Sequence, residues 1–225
     1  MIRIRAVFRR HPEWWMLALS IAAWMAILTR PHTHHHGASA RISAGLASWI
    51  LMVIAMMIPT LVAPARFAAF RSLWPRRHRA ILELLIGYVI VWALAGLLWQ
   101  SILALTGWSP GPVACAIAFA AAAAWQFSSV KRRSLKACHR SRPLSPSGWL
   151  ADFDCVRYGL SHGVHCVASC WLLMIAAMLP ARSVPAMIVV TIICVIERYS
   201  LRLKPAAIPT ALSFVSAGFL IAAGL

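Results

Sequence analysis

Seven apolar stretches, each separated from the next by a basic or Pro/Gly-containing joint, constrain this chain more than any other feature. They run approximately Pro12–Thr29, Ser43–Ala63, Ile81–Thr106, Pro112–Phe127, Tyr158–Pro180, Val184–Tyr199 and Ala207–Leu225. A bilayer core of about 30 Å requires roughly 20 mainly apolar residues per helical span. The fourth and sixth stretches are short, so tilt or local thinning must accommodate them. Only 12% of residues are charged and mean hydropathy is +0.76, whereas a soluble domain carries about a quarter charged residues. A soluble fold would leave large apolar patches wet. The fold class predicted is therefore all-α: a polytopic transmembrane helix bundle of about seven spans, forming one integral membrane domain over residues 1–225.

The basic residues give an orientation. Arg3, Arg5, Arg9 and Arg10 precede the first stretch; Arg66, Arg71, Arg76, Arg77 and Arg79 follow the second. Lys131, Arg132, Arg133, Lys136, Arg140 and Arg142 follow the fourth, and Arg198, Arg202 and Lys204 follow the sixth. These alternate joints hold 18 of the 22 Lys and Arg residues, the pattern of seven spans with a cytoplasmic N-terminus. The formal charge of +17 is thus explained by membrane orientation beside anionic lipid, not by nucleic acid. The first stretch reads as an uncleaved anchor, because the Ala38-Ser39-Ala40 site lies too far beyond it for a signal peptide.

The fifth stretch carries the sharpest chemical signal. His162, Cys166, Cys170, Met174 and Met178 follow one another at i+4. Neighbours in such a row sit about 6 Å apart along the helix and turn by about 40° per step. A pair or triplet can therefore share one site, but the whole row cannot. Thiolate and thioether favour Cu(I), and imidazole also suits zinc and Cu(II). An ionised thiolate in a membrane is costly unless a cation compensates it. In the second stretch, Met52 and Met56 share a face, and Pro59 frees a backbone carbonyl and kinks the helix. The same Cys and Met residues also suit simple packing.

Other groups are less specific. Six cysteines spread through apolar segments and one basic loop read as reduced thiols, not as a disulfide framework. His32, His34, His35 and His36 fall in the first external loop and are suited to loose metal capture. Cys138-His139 ends a basic run and offers a cytoplasmic transfer site. Glu83 and Glu197 are expected to pair with inner-face Arg and Lys. No nucleophile elbow, phosphate loop, Rossmann glycine pattern or HExxH motif occurs, and five carboxylates offer little for acid–base hydrolysis. No enzymatic activity is expected.

Three blocks resemble a family of bacterial predicted metal-binding integral membrane proteins. Trp49 to Pro59, with Ala55-Met56-Met57-Ile58-Pro59, is similar to its AMM-x-P block. Trp125-Gln126, Lys131, Leu135 and Cys138 are similar to its YQ…K…CL..C block. Gly159, Gly163, Cys166, Cys170, Trp171 and Met174 are similar to its G-x3-G-x2-C-x2-CCW-x-LM block. Met187 and Glu197-Arg198 follow its ending more loosely. Ser169 and Ser134 stand where that pattern has cysteines, which favours a mixed Cys/Met/His site over a thiolate-rich cluster.

The function expected is soft-metal binding, transport or delivery in the bacterial inner membrane. Copper is the expected metal, with zinc or nickel as alternatives. Cys166 and Cys170 would be the principal ligands, assisted by Met174, His162, Met52 and Met56. The partners expected are the lipid bilayer and a membrane or metallochaperone protein. The alternatives are a metal-free assembly subunit of a larger membrane complex and, less favoured, a small-molecule or ion transporter.

Overall fold

The computed structural model describes residues 11–29, 38–107, 111–140, 142–179 and 184–199. All regular structure among them is helical. The α-helices are α1 (Trp14–Thr29), α2 (Ala38–Met57), α3 (Val62–Arg71), α4 (Arg77–Thr106), α5 (Pro112–Trp125), α6 (Ser129–Cys138), α7 (Gly148–Met178) and α8 (Val184–Tyr199). Short 3₁₀ turns at Ile58–Leu61 and Trp74–Arg76 join α2 to α3 and precede α4.

Three helical segments are long and apolar enough to cross a bilayer: Ile42–Arg71, Trp74–Thr106 and Gly148–Met178. A fourth is obtained if Val113–Trp125 and Ser129–Cys138, bent by 71° at the break between them, count as one span. The protein is thus a multi-pass, all-α membrane protein with three to four such spans among the described residues. Of the seven spans expected, three to four are thus found among the described residues. At about 1.5 Å per residue, the 14-residue α5 reaches about 21 Å, short of the core thickness. The apolar run that sequence extends through Phe127 is broken by a turn after Trp125. The seventh stretch, Ala207–Leu225, lies outside the described residues, as do His32–His36 and the first ten residues.

An apolar stripe confirms what surrounds α4. Leu82, Ile86, Ile90, Leu94, Leu98 and Ile102 follow at i+4, and all are exposed. Water would penalise such a ridge, whereas hydrocarbon accepts it.

The chain divides into two compact units, residues 1–98 with 139–164, and residues 99–138 with 165–225. In the first, α1 packs on α2, and proline chemistry shapes the contact. Pro59 has no N–H to give the carbonyl of Ala55, its i−4 neighbour. The hydroxyl of Ser20 on α1 donates to that carbonyl at 2.7 Å. Beyond it the helix tightens into the 3₁₀ turn, where the Thr60 hydroxyl donates to the Met57 carbonyl at 2.7 Å. The α-helical ladder is thus interrupted around Pro59 by the 3₁₀ turn Ile58–Leu61.

Glycines set the approach of α7 to α4. A Cβ at Gly159 would collide with the Leu84 carbonyl oxygen and lie 2.9 Å from its carbon. One at Gly87 would collide with the Val156 carbonyl oxygen and lie 2.9 Å from Leu160 N. The two backbones are therefore in direct contact, as small residues allow between membrane helices. Gly96 opens a notch for Trp49, whose indole N–H donates to the Trp92 carbonyl at 2.9 Å. At the charged ends of α4 and α7, Arg76 bonds both Glu83 and Asp152. Arg79 bonds Glu83 at 2.8 Å and Asp152 at 2.6 Å. Glu83 is thereby paired with arginines of the joint that precedes it.

Candidate metal centre

Within the second unit, three helices turn a polar stripe inward. On α8 the buried residues Ala186, Met187, Val190, Ile193, Cys194, Glu197 and Arg198 recur at helical spacing, which places Cys194 one turn before the charged pair. On α6 the buried residues are Lys131, Ser134 and Cys138, while Arg132, Arg133 and Lys136 face outward. The second half of α7 contributes Cys166, Ser169, Cys170 and Met174, all buried.

These stripes bring four thiols together. The Cys170 thiol is near enough to Cys166, one turn earlier on α7, and to Cys194 on α8 to interact with both electrostatically. Cys138 lies within electrostatic range of Cys166, Cys170 and Arg198. Ser169 donates to the Cys166 carbonyl at 3.0 Å, and its hydroxyl lies 3.4 Å from the Cys170 sulfur. It therefore sits against the thiols, at the position where the resembling pattern has a further cysteine. All six cysteines are reduced and buried.

Charge accompanies the thiols. Lys131 Nζ donates to Glu197 Oε1 at 2.8 Å, and both residues are buried, 3% and 6% exposed. Burying an ion pair costs more desolvation than its attraction returns unless geometry and surroundings compensate. This one is placed within electrostatic range of Cys170 and Cys194.

The sequence candidates divide between the units. Cys166, Cys170 and Met174 belong to the second. Met52 and Met56 belong to the first, where both are buried on α2. His162 also belongs to the first, its ring packed against Tyr88 and Tyr158 with centroids 6.3 and 6.0 Å away. Met178, last of the i+4 row, accepts a hydrogen bond from Gln100 at 3.6 Å. Two important residues were not foreseen as part of a site. Cys194 appeared only as a cysteine in an apolar stretch, and Lys131 as part of an orienting basic run and as one position of the resembling YQ…K…CL..C block. The signals available were that position and the helical spacing of Cys194 from Glu197, which sets both on one face.

The thiols offer pairs, not a cage. Among the described residues, no group of three or more His, Cys, Asp or Glu side chains is placed to hold a metal ion together. A two-coordinate soft ion fits that donor set better than zinc, whose structural sites take four ligands.

Fold and thiol-lined interior together define a class: multi-pass helical membrane proteins whose soft donors are shielded from water. A family model described as copper chaperone (PpoB2) matches residues 46–221, and the chain belongs to that family. The matched region contains every one of the four clustered thiols. No curated protein and no solved structure matches the chain.

Proposed function

We propose that this protein takes up Cu(I) as cargo at Cys170, with Cys166 or Cys194 as second ligand, and delivers it to a maturing metalloprotein or membrane partner. The observation that carries this reading is the burial of Cys170 with Cys166 one turn before it on the same helix and Cys194 within electrostatic range on α8. Sulfur donors of this kind select Cu(I), and the family's description names the same metal. Zinc and nickel are less well served by paired thiols.

Delivery requires exchange, and the remaining donors are suited to it. Met174 lies one turn beyond Cys170. Met52, Met56 and His162 provide weaker donors in the first unit. Cys138, followed by the exposed His139, is the proposed point of transfer to the cytoplasmic side. Weak sites in succession let an ion move without a deep trap. The protein acts as a non-enzymatic carrier in the bacterial inner membrane, its N-terminus cytoplasmic as the basic joints direct. It works, on this reading, as one membrane domain over residues 1–225.

The test is Cu(I) binding by purified, detergent-solubilised protein against a chromophoric Cu(I) chelator under anaerobic conditions. Wild type is expected to withdraw Cu(I) from the chelator. Cys170→Ser is expected to abolish this, whereas Cys166→Ser and Cys194→Ser each weaken it. Undiminished Cu(I) uptake by a Cys166→Ser/Cys170→Ser protein would eliminate these thiols as the ligands, and no uptake by wild type would favour a metal-free assembly subunit with packing thiols.

A further inference from the structure

A buried dithiolate complex raises a problem of charge. Cu(I) binding to two thiols releases two protons to water, leaves copper cuprous and forms a complex of net charge −1. A bare −1 charge among apolar helices is expensive. The second unit already holds charge beside these thiols. Lys131 and Glu197 cancel as a pair, with nitrogen and oxygen 2.8 Å apart. Arg198, 7% exposed, follows Glu197 in the chain and lies within electrostatic range of Cys138 and Cys166. Two cations and one carboxylate leave the surroundings with one net positive charge.

We propose that the buried triad Lys131, Glu197 and Arg198 is a counter-charge that selects a metal–thiolate complex of net charge −1, and so a monovalent metal over a divalent one at the same pair of thiols. This rests on the reading of Cys170 and its neighbours as the ligands. With Cu(I) the dithiolate and the triad sum to zero. With a divalent ion the dithiolate is neutral and one positive charge remains uncompensated. Lys131 is the central positioning residue. Its side chain lies on the inward face of a helix whose other cations face outward, so orientation of the membrane helix does not account for its burial. The cost of sequestering it is offset when the anionic complex forms nearby.

Charge and shape are separated by comparing Cu(I) with Hg(II). Both accept two thiolates in a linear arrangement, but their complexes differ by one unit of charge. The measurement is the ratio of Cu(I) to Hg(II) affinity in a small-dithiol buffer, for wild type, Lys131→Met, Glu197→Gln and the double variant. Lys131→Met removes the net positive charge and should lower the ratio by about tenfold to a hundredfold, the range for a unit charge about 6–12 Å away at an effective dielectric constant of about 20. Glu197→Gln adds a net positive charge and should raise the ratio. The double variant restores the original net charge and should return it close to wild type.

A purely structural pair predicts none of these opposite signs. If Lys131→Met does not fold, the near-isosteric Glu197→Gln and the double variant still carry the test. A Glu197→Gln protein with an unchanged or lowered ratio overturns the counter-charge. If wild type binds neither metal, the ligand reading fails first and the counter-charge falls with it. If wild type binds both and no variant shifts the ratio, the counter-charge alone is refuted.

Discussion

Replacing Gly159 by Ala adds one methyl group, and the fold gives that methyl nowhere to go. It would overlap the Leu84 carbonyl oxygen and lie 2.9 Å from the carbonyl carbon and 3.1 Å from Cα. Ordinary carbon–carbon contact begins near 3.5 Å, and the obstructing atoms are backbone, which cannot rotate aside. Helix propensity opposes this effect: Ala in a helix interior is favoured over Gly by about 1 kcal/mol. Overpacking costs about 1–3 kcal/mol where neighbours can adjust, and the upper end applies where they cannot. The net expectation is destabilisation of about 2 kcal/mol, or a melting temperature lowered by about 4–8 °C for a chain of this size. Gly163→Ala is the control. Its nearest obstacles are Val91 Cβ at 3.0 Å and Tyr88 O and Val91 Cγ2 at 3.2 Å, so small shifts relieve it and stability should change little. Thermal unfolding followed by circular dichroism in detergent measures both. A Gly159→Ala protein that melts at or above wild type would refute the close helix contact.

Ser20→Ala leaves the Ala55 carbonyl without its hydroxyl donor. It should cost about 1–2 kcal/mol by the same assay, while Thr at position 20 should restore much of the loss. Ser169→Cys introduces a sulfur beside Cys170 and should tighten Cu(I) binding by about tenfold in chelator competition; unchanged affinity would show that position 169 does not reach the metal.

What could be foreseen from the residues followed the range of the forces involved. The interruption of the α-helix at Pro59 was legible because a missing N–H is a local fact. Glu83 and Glu197 were legible as ion-pair partners because each lies close in sequence to a basic joint and few other carboxylates compete. The common face of Cys166 and Cys170 follows from helical spacing alone. Cys194 was not legible as their neighbour, because its approach depends on how α8 packs, a contact between residues distant in the chain. Lys131 was obscured by its neighbours: in the run Lys131-Arg132-Arg133 every charge has the same local reading, and only the 71° bend before α6 separates the inward one from the others. The early end of α5 was hidden for a related reason. A window of hydropathy cannot detect that α5 stops after 14 residues and that the chain then turns.

The Ser20–Ala55 bond also has a consequence for biogenesis. An exposed carbonyl in hydrocarbon has no water to turn to, so the α2 segment cannot complete its own bonding after Pro59 interrupts the ladder. Helix α1 is synthesised first, and its hydroxyl is already available when Ala55 emerges. A chain lacking residues 14–29 would insert that carbonyl bare, and defective membrane integration of α2 is the expected result.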